Sequence, residues 1–325
     1  MDTKAYAMGH LLHLVLAGSR LHGTDTETSD YDWRGVCSVP RQVLLGLQKF
    51  DEYQWTDEKD EWVVYTLRRI FELGLRANPN ILTIIFSPPQ RWSLPSEPIW
   101  LRVYRNRRWF LSQRIRHTFR GYAFSQLRQI KGHREWLVNP PDHEPLPEEF
   151  GCYLYTDLKG GQHLDGKTYE GLGKFKAAQL RWQQYQTWLA ERNPKRAELE
   201  RKFGYDAKHA SALVRLMLEG GNILREGDYD PVLRVDDQAL VRQVLDGGWN
   251  YDRLVGFAEE REAALREMPS QLPNTPNFDG LQELLMELNE ETLKDADRAV
   301  PNASGREVPK FGPRQFKVAV GPLSC

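Results

Sequence analysis

Leu16-Ala-Gly-Ser-Arg-Leu-His-Gly-Thr-Asp-Thr-Glu-Thr-Ser-Asp-Tyr-Asp-Trp-Arg-Gly35 continues an apolar run that begins at Leu11. Such a run bounded by glycine reads as a buried strand ending in a tight turn, here at Gly18-Ser19. Asp30 and Asp32 stand two apart. Alternate residues of a strand share a face, so this spacing predicts two carboxylates side by side on a second strand, Tyr31 to Val39, stopped by Pro40. Two like charges that close repel unless a cation lies between them. Mg2+ is a hard ion that takes oxygen ligands and binds one or two carboxylates together with substrate phosphates. Gly18 permits close backbone approach. The amides around Gly18-Ser19, with the Ser19 hydroxyl, can hold phosphate oxygens. Together these pieces read as a phosphate cradle facing a metal-binding acid pair. Taken singly, each is ordinary: Asp25 and Glu27 are loop acids, and Thr24, Thr28 and Ser29 are loop or capping hydroxyls. Arg34, directly after the acids, is either a solvated partner of one of them or a neutralising group for the site.

The chain has 325 residues, enough for one large domain or two modest ones, and 40% hydrophobic residues, enough for a sizeable core. Lys and Arg number 44 against 45 Asp and Glu. Global charge therefore points to no partner. Cys37, Cys152 and Cys325 lack metal-site spacing, and their odd number and wide separation fit a reduced, cytoplasmic protein. The mixed, polar N-terminus resembles no signal peptide, and no apolar run is long enough to cross a membrane, so no membrane partner is expected.

Further along, Gln48 to Thr56 has strand character, and Asp60 to Tyr65 reads as a strand from its aromatic and β-branched residues. Thr66 is a candidate N-cap for a helix with Leu67, Ile70, Phe71 and Leu75 at core spacing. Asn78-Pro79-Asn80 breaks it, and a short apolar piece, Ile81 to Phe86, ends at Pro88-Pro89.

Gly18-Ser19, Gly23-Thr24 and Ser29-Asp30-x-Asp32 resemble the signature of the DNA-polymerase-beta-type nucleotidyltransferases. The strand with an acid, the helix of the type Tyr-x-Leu-x-Arg from Tyr65, and Asn78-Pro79-Asn80-Ile81-Leu82 narrow the resemblance to the RNA-ligase-associated, polymerase-beta-like nucleotidyltransferases of RNA repair, the RlaP type. The resemblance covers about residues 1–270. In that family the strand before the helix supplies a third acid, usually Asp. The matching position here holds Glu61, with Asp60 beside it, which leaves the third ligand open between the two. The resemblance implies two Mg2+ ions, with Mn2+ as an alternative, held by Asp30, Asp32 and Glu61 as the catalytic set. It places the NTP against Gly18, Ser19, Arg20 and Ser29.

Residues 101–134 hold ten Lys and Arg, no Asp or Glu, and six interleaved aromatics. They read as two helices broken near Gly121, and the charge is an electrostatic footprint for polyphosphate. The ordinary reading is two surface helices paired with acids elsewhere. Gly121-Tyr122-Ala123-x-Ser125-Gln126-Leu127 also resembles a stretch of the same family. Arg116, Arg120, Tyr122, Arg128 and Lys131 are the candidate RNA contacts.

Lys208 and Arg215 are seven apart and share one helix face; Asp206 can cap that helix and Gly220-Gly221 can end it. A solvated face, or a hydrogen-bonded core position for His209, is the ordinary reading. Tyr205-Asp206-x-Lys208-His209-Ala210 with Arg215-Leu216 resembles the second motif of the family, which implies that Lys208, His209 and Arg215 bind nucleotide.

The fold expected is α/β: a small mixed sheet carrying the acids, then a mainly helical domain. The expected divisions are a catalytic core at 1–90, a basic helical segment at 91–138, and a Pro-rich, acidic linker loop at 139–166. A helical domain follows at 167–296 and a flexible tail at 297–325, ordered at most over Phe316 to Val320. Transfer of a nucleoside monophosphate from an NTP to an RNA end is the leading function. Transfer to a protein or small molecule is the second, and a catalytically inactive nucleotide- or RNA-binding module the third. Base choice, acceptor, pathway and oligomeric state are not written in these motifs.

Overall fold

The computed structural model describes residues 3–27, 29–57, 60–94, 97–191 and 194–298. Cys325 and the stretch Phe316 to Val320 lie outside them. The described residues form two compact units, each discontinuous in sequence. Among the described residues, the first comprises those within 3–118, 222–233 and 270–298; the second comprises those within 119–221 and 234–269.

The first unit opens with helix α1 (Thr3–Gly9), strand β1 (Leu11–Leu16), a single helical turn α2 (Gly18–His22) and strand β2 (Tyr31–Cys37). A short turn α3 (Arg41–Leu44) leads to a hairpin of β3 (Glu52–Asp57) and β4 (Asp60–Thr66). The sheet order is β1-β2-β4-β3. β2 runs parallel to β4, while β1 and β3 run antiparallel to their neighbours. Three tryptophans fix the register. Trp33 is opposite Trp62, and Trp62 is opposite Trp55. Their rings stack with centroids 5.1 and 5.2 Å apart. α1 lies on that face: Ala7 packs with Cys37 and Val64, and Lys4 Nζ stands 4.9 Å over the Trp55 ring. Burial pushes the Cys37 thiol up to about 12, so this cysteine is an inert core residue.

The Thr66 side chain caps α4 (Leu67–Leu75) by accepting from Arg69 N. Asn78 does more than break the chain. Its side chain accepts from Asn80 N and Ile81 N and starts α5 (Pro79–Ile85), so the apolar piece after it is a helix with Pro at its first position. α6 (Pro98–Arg105) and α7 (Ile115–Val138) follow. The basic segment does not break at Gly121, which lies inside α7 with open space around it. The interruption is at 106–114, where Asn106 ends α6 and Leu111 ends a 3-10 turn.

The stretch 139–166 is not merely a linker loop. It contains a hairpin, β5 (Cys152–Thr156) and β6 (Gln162–Gly166). The Asp157 carboxylate closes its turn by accepting from Lys159 N and Gly161 N, both at 2.8 Å, and Gly160 supplies a φ of 82°. The remaining elements are α8 (Tyr169–Glu191), α9 (Pro194–Phe203), α10 (Ala207–Glu226), α11 (Val235–Leu245), α12 (Tyr251–Glu267) and α13 (Phe278–Arg298). α10 runs through Gly220-Gly221 and stops at Gly227, whose φ is 68°. Gly220 serves contact, not termination: a Cβ there would lie 3.0 Å from Phe119 Cβ. Among the described residues no helix is long and apolar enough to cross a membrane.

Candidate active site

The tryptophan register determines where the acids stand. One residue before Trp33 and Trp62, Asp32 is directly opposite Glu61 on parallel strands, so both carboxylates leave the sheet on the face opposite the indoles. Asp60 is opposite Tyr31 and belongs to the tryptophan face, where its Oδ2 accepts from Trp33 Nε1 at 3.2 Å. Arg34, two residues beyond Asp32, is on the acid face. Its Nη2 lies 2.8 Å from Glu61 Oε1 and 4.0 Å from Asp32 Oδ1, so one guanidinium holds the two negative charges together.

Asp30 sits differently from the pattern expected. Ser29 N donates back to Thr26 O at 3.1 Å, which keeps this stretch in a turn, and the ladder starts only at Tyr31. The strand partner of Asp32 is therefore Glu61 on the neighbouring strand. Asp30 is an exposed residue just ahead of β2.

Above Asp32 the chain makes its closest turn. Ala17 N donates to Asp32 O at 2.8 Å, and Gly18 has a φ of 62°. A Cβ on Gly18 would overlap the Asp32 carboxylate. Glycine is thus required twice here, by conformation and by space. Ser19 lies in the first turn of α2, which Gly23 closes with a φ of 76° by donating to Ser19 O. Arg20 turns toward the loop that follows. It donates to Ser29 O at 2.8 Å, lies 3.3 Å from Asp25 Oδ2, and stacks 4.0 Å over the Tyr31 ring. It thereby braces the 24–30 loop that leads to Asp30. His22 is buried and donates through Nδ1 to Pro231 O at 2.8 Å.

The donor set fits a hard divalent cation: carboxylate oxygens, two of them in register on neighbouring strands. Arg34 was readable as either solvated or neutralising, and its contacts place it between the acids.

Lys208, His209 and Arg215 belong to the second unit. Asp206 caps α10, its Oδ1 accepting from Lys208 N at 2.8 Å and His209 N at 3.1 Å. Arg215 is bound to the buried Glu219 at 2.8 Å. His209 Nδ1 donates to Gln126 Oε1 at 2.7 Å. His133, whose ring lies 5.7 Å from that of His209, carries no local sequence signal. Only the packing of α7 against the start of α10 brings the two together.

The basic segment is partly neutralised within the fold. Arg102 of α6 pairs with Glu287 and Glu291 of the acidic α13, and Arg120 lies 3.4 Å from Glu262. Arg108 and Arg114 donate to the backbone oxygens of Gly227 and Leu75. Tyr122, Arg128 and Lys131 are exposed.

Residues 3–139 match the family described as "RNA repair pathway DNA polymerase beta family". No curated protein matches. Among solved structures, a nucleotidyltransferase-like protein from Exiguobacterium sibiricum is similar at 9% identity over 92% of this chain and 78% of that one, with a TM-score of 0.24. A likeness that slight carries no argument here. Over residues 3–139, less than half of its length, the chain is thus similar to the RNA repair pathway DNA polymerase beta family.

Proposed function

We propose that this protein transfers a nucleoside monophosphate from an NTP to an acceptor hydroxyl, with an RNA end as the acceptor. The observation that carries the reading is the in-register pair of Asp32 and Glu61, bridged by Arg34, directly beneath the Gly18 turn. Asp32 and Glu61, with Asp30 from the preceding turn, hold Mg2+ or Mn2+. When bound, the ion lowers the pKa of the attacking hydroxyl and neutralises phosphate charge. The chain's own groups bind and orient. The amides of Gly18 and Ser19 and the Ser19 hydroxyl take phosphate oxygens. Arg20 and Ser29 fix the loop that presents Asp30. Arg34 keeps the two acids in place against their mutual repulsion. No covalent intermediate is required, because positioning and neutralisation suffice for phosphoryl transfer. On the family resemblance alone, Lys208 and Arg215 are nucleotide-binding residues. The free, buried thiols of Cys37 and Cys152 fit a reducing cytoplasm.

The test is incubation of the full chain with α-labelled NTPs, with and without RNA, in Mg2+ and in chelator. Label on RNA only in Mg2+ supports the reading. Label on the protein itself, or on a small molecule with RNA ignored, replaces RNA by another acceptor. NTP binding without transfer under any condition makes the chain a binding module. RNA contact is proposed for Tyr122, Arg128 and Lys131. Replacing Arg128 and Lys131 by alanine should flatten the log–log salt dependence of single-strand RNA affinity by up to about 1.4, at about 0.7 per phosphate contact. An unchanged slope removes both residues from the RNA surface.

A further inference from the structure

We propose that the second unit carries a transition-metal site of the Zn2+ class, ligated by His133 of α7, by Asp206 at the start of α10, and by His209 in its first turn. One ligand atom from each residue lies within 4.8 Å of the others. All three residues belong to the same compact unit. Its residues are other than the sheet acids, and it does not depend on the function proposed for them.

Three geometric facts favour an ion over a simple His–Asp pair. His209 Nε2 stands 3.7 Å from Asp206 Oδ2. That is too long for a hydrogen bond. It is close to the edge of roughly 3.3 Å that separates two ligands of a tetrahedral ion, each about 2.0 Å from the metal. The His133 and His209 ring centroids are 5.7 Å apart and their planes cross at 64°. Two imidazoles on one tetrahedral ion place their ring centres roughly 5.2 Å apart. The third fact is the orientation of His209. Gln126 Oε1, 2.7 Å from His209 Nδ1, accepts from that nitrogen and turns Nε2 toward Asp206. An outer partner that fixes the tautomer and orients the ring is what a metal-bound histidine requires. Gln126 and His133 are seven apart on α7, so one helix face supplies both the ligand and the orienting group.

The helix N-terminus alone would disfavour a cation, since its free amides carry partial positive charge. Asp206 offsets this. Its Oδ1 accepts from the amides of Lys208 and His209, and it brings a full negative charge to the site. It is only 3% exposed, so that charge acts in a poorly solvated setting. The Trp136 and Trp188 rings flank His133 at 5.7 and 5.5 Å and restrict its movement. Two nitrogen donors and one carboxylate select against Mg2+ and Ca2+, which want oxygen, and suit Zn2+, Co2+ or Ni2+. Three protein ligands leave a fourth position for water. The half-exposed edge of His209 gives the ion an entry path. His209 thereby becomes a metal ligand and not a nucleotide contact.

The experiment is to strip the full chain with a chelator, remove the chelator, and titrate with Co2+ while recording visible absorption. The expected result is an intense d–d band typical of four-coordinate Co2+, saturating at one ion per chain and displaced by Zn2+. His133→Gln and His209→Gln should each abolish the band with unchanged far-UV circular dichroism. Asp206→Asn keeps an acceptor for the α10 amides and should weaken Co2+ binding at least tenfold. Asp32→Asn should leave the band intact. Weak absorption of six-coordinate Co2+ in the wild type overturns the proposal whatever the variants do. So does an intense band that survives both histidine changes, or one that disappears with Asp32→Asn.

Discussion

On one face of the β2–β4 pair Trp33 lies against Trp62; one residue earlier on each strand, on the other face, Asp32 lies beside Glu61. The two faces are built from neighbouring residues but solve opposite problems. The tryptophan face is buried, with Trp33 and Trp62 only 7 and 8% exposed, and its stacking specifies one register. On the acid face the two negative charges repel, and Arg34 stands against both. A slip of one residue would turn Asp32 and Glu61 into the core, where unpaired carboxylates are prohibitively costly. Under the proposed function, stability and chemistry fall on alternate residues and should separate on mutation.

The largest expected effect is on the acid face. Asp32→Asn should lower transfer at least about a thousandfold, roughly 4 kcal/mol of transition-state stabilisation, and leave the melting temperature unchanged or slightly raised. Transfer assays beside thermal melts check it; an active variant, or an unfolded one, would break the division between the faces. On the other face, Trp62→Ala should cost about 3 kcal/mol of stability by denaturant titration, from a lost indole and the cavity left behind. A cost under about 1 kcal/mol would mean that the ladder does not set the register. Gly18→Ala sits where the faces connect. A left-handed alanine and a displaced Asp32 should together lower transfer by on the order of a hundredfold, with about 1–2 kcal/mol lost from stability. Wild-type rates in that variant would show that Asp32 need not stand against the turn.

The sequence was most legible where the signal is local. The apolar run into Gly18, the strand at Asp60 to Tyr65 and the Thr66 cap all lie within a few residues of what determines them. The i, i+2 spacing predicts Asp30 beside Asp32, and spacing alone cannot show that Ser29 turns back on Thr26. Gly121 and Gly220 read as breaks for a related reason. A glycine that ends a helix and one that lets another element approach look alike until the partner, Phe119 for Gly220, is in place. The hairpin at 152–166 was hidden by its acidic, Pro-rich lead-in, although Asp157 and Gly160 carry turn chemistry of their own. Which acids pair with Arg102 and Arg120 is not legible locally, because Glu287, Glu291 and Glu262 are more than a hundred residues away. His133 and Gln126 gained meaning only through the helix that α7 packs against.

The choice between Glu61 and Asp60 tests the account most directly, because the two are adjacent and differ only in the face they occupy. Glu61→Gln and Asp60→Asn should be compared in one transfer assay with labelled NTP and Mg2+, each beside its own thermal melt. The account predicts that Glu61→Gln abolishes transfer and keeps the fold. Asp60→Asn should keep transfer within a few fold and lose about 1 kcal/mol with the charge-assisted bond from Trp33. Full activity in Glu61→Gln together with a dead but folded Asp60→Asn would contradict it, and would move the chemistry to the face assigned here to the core.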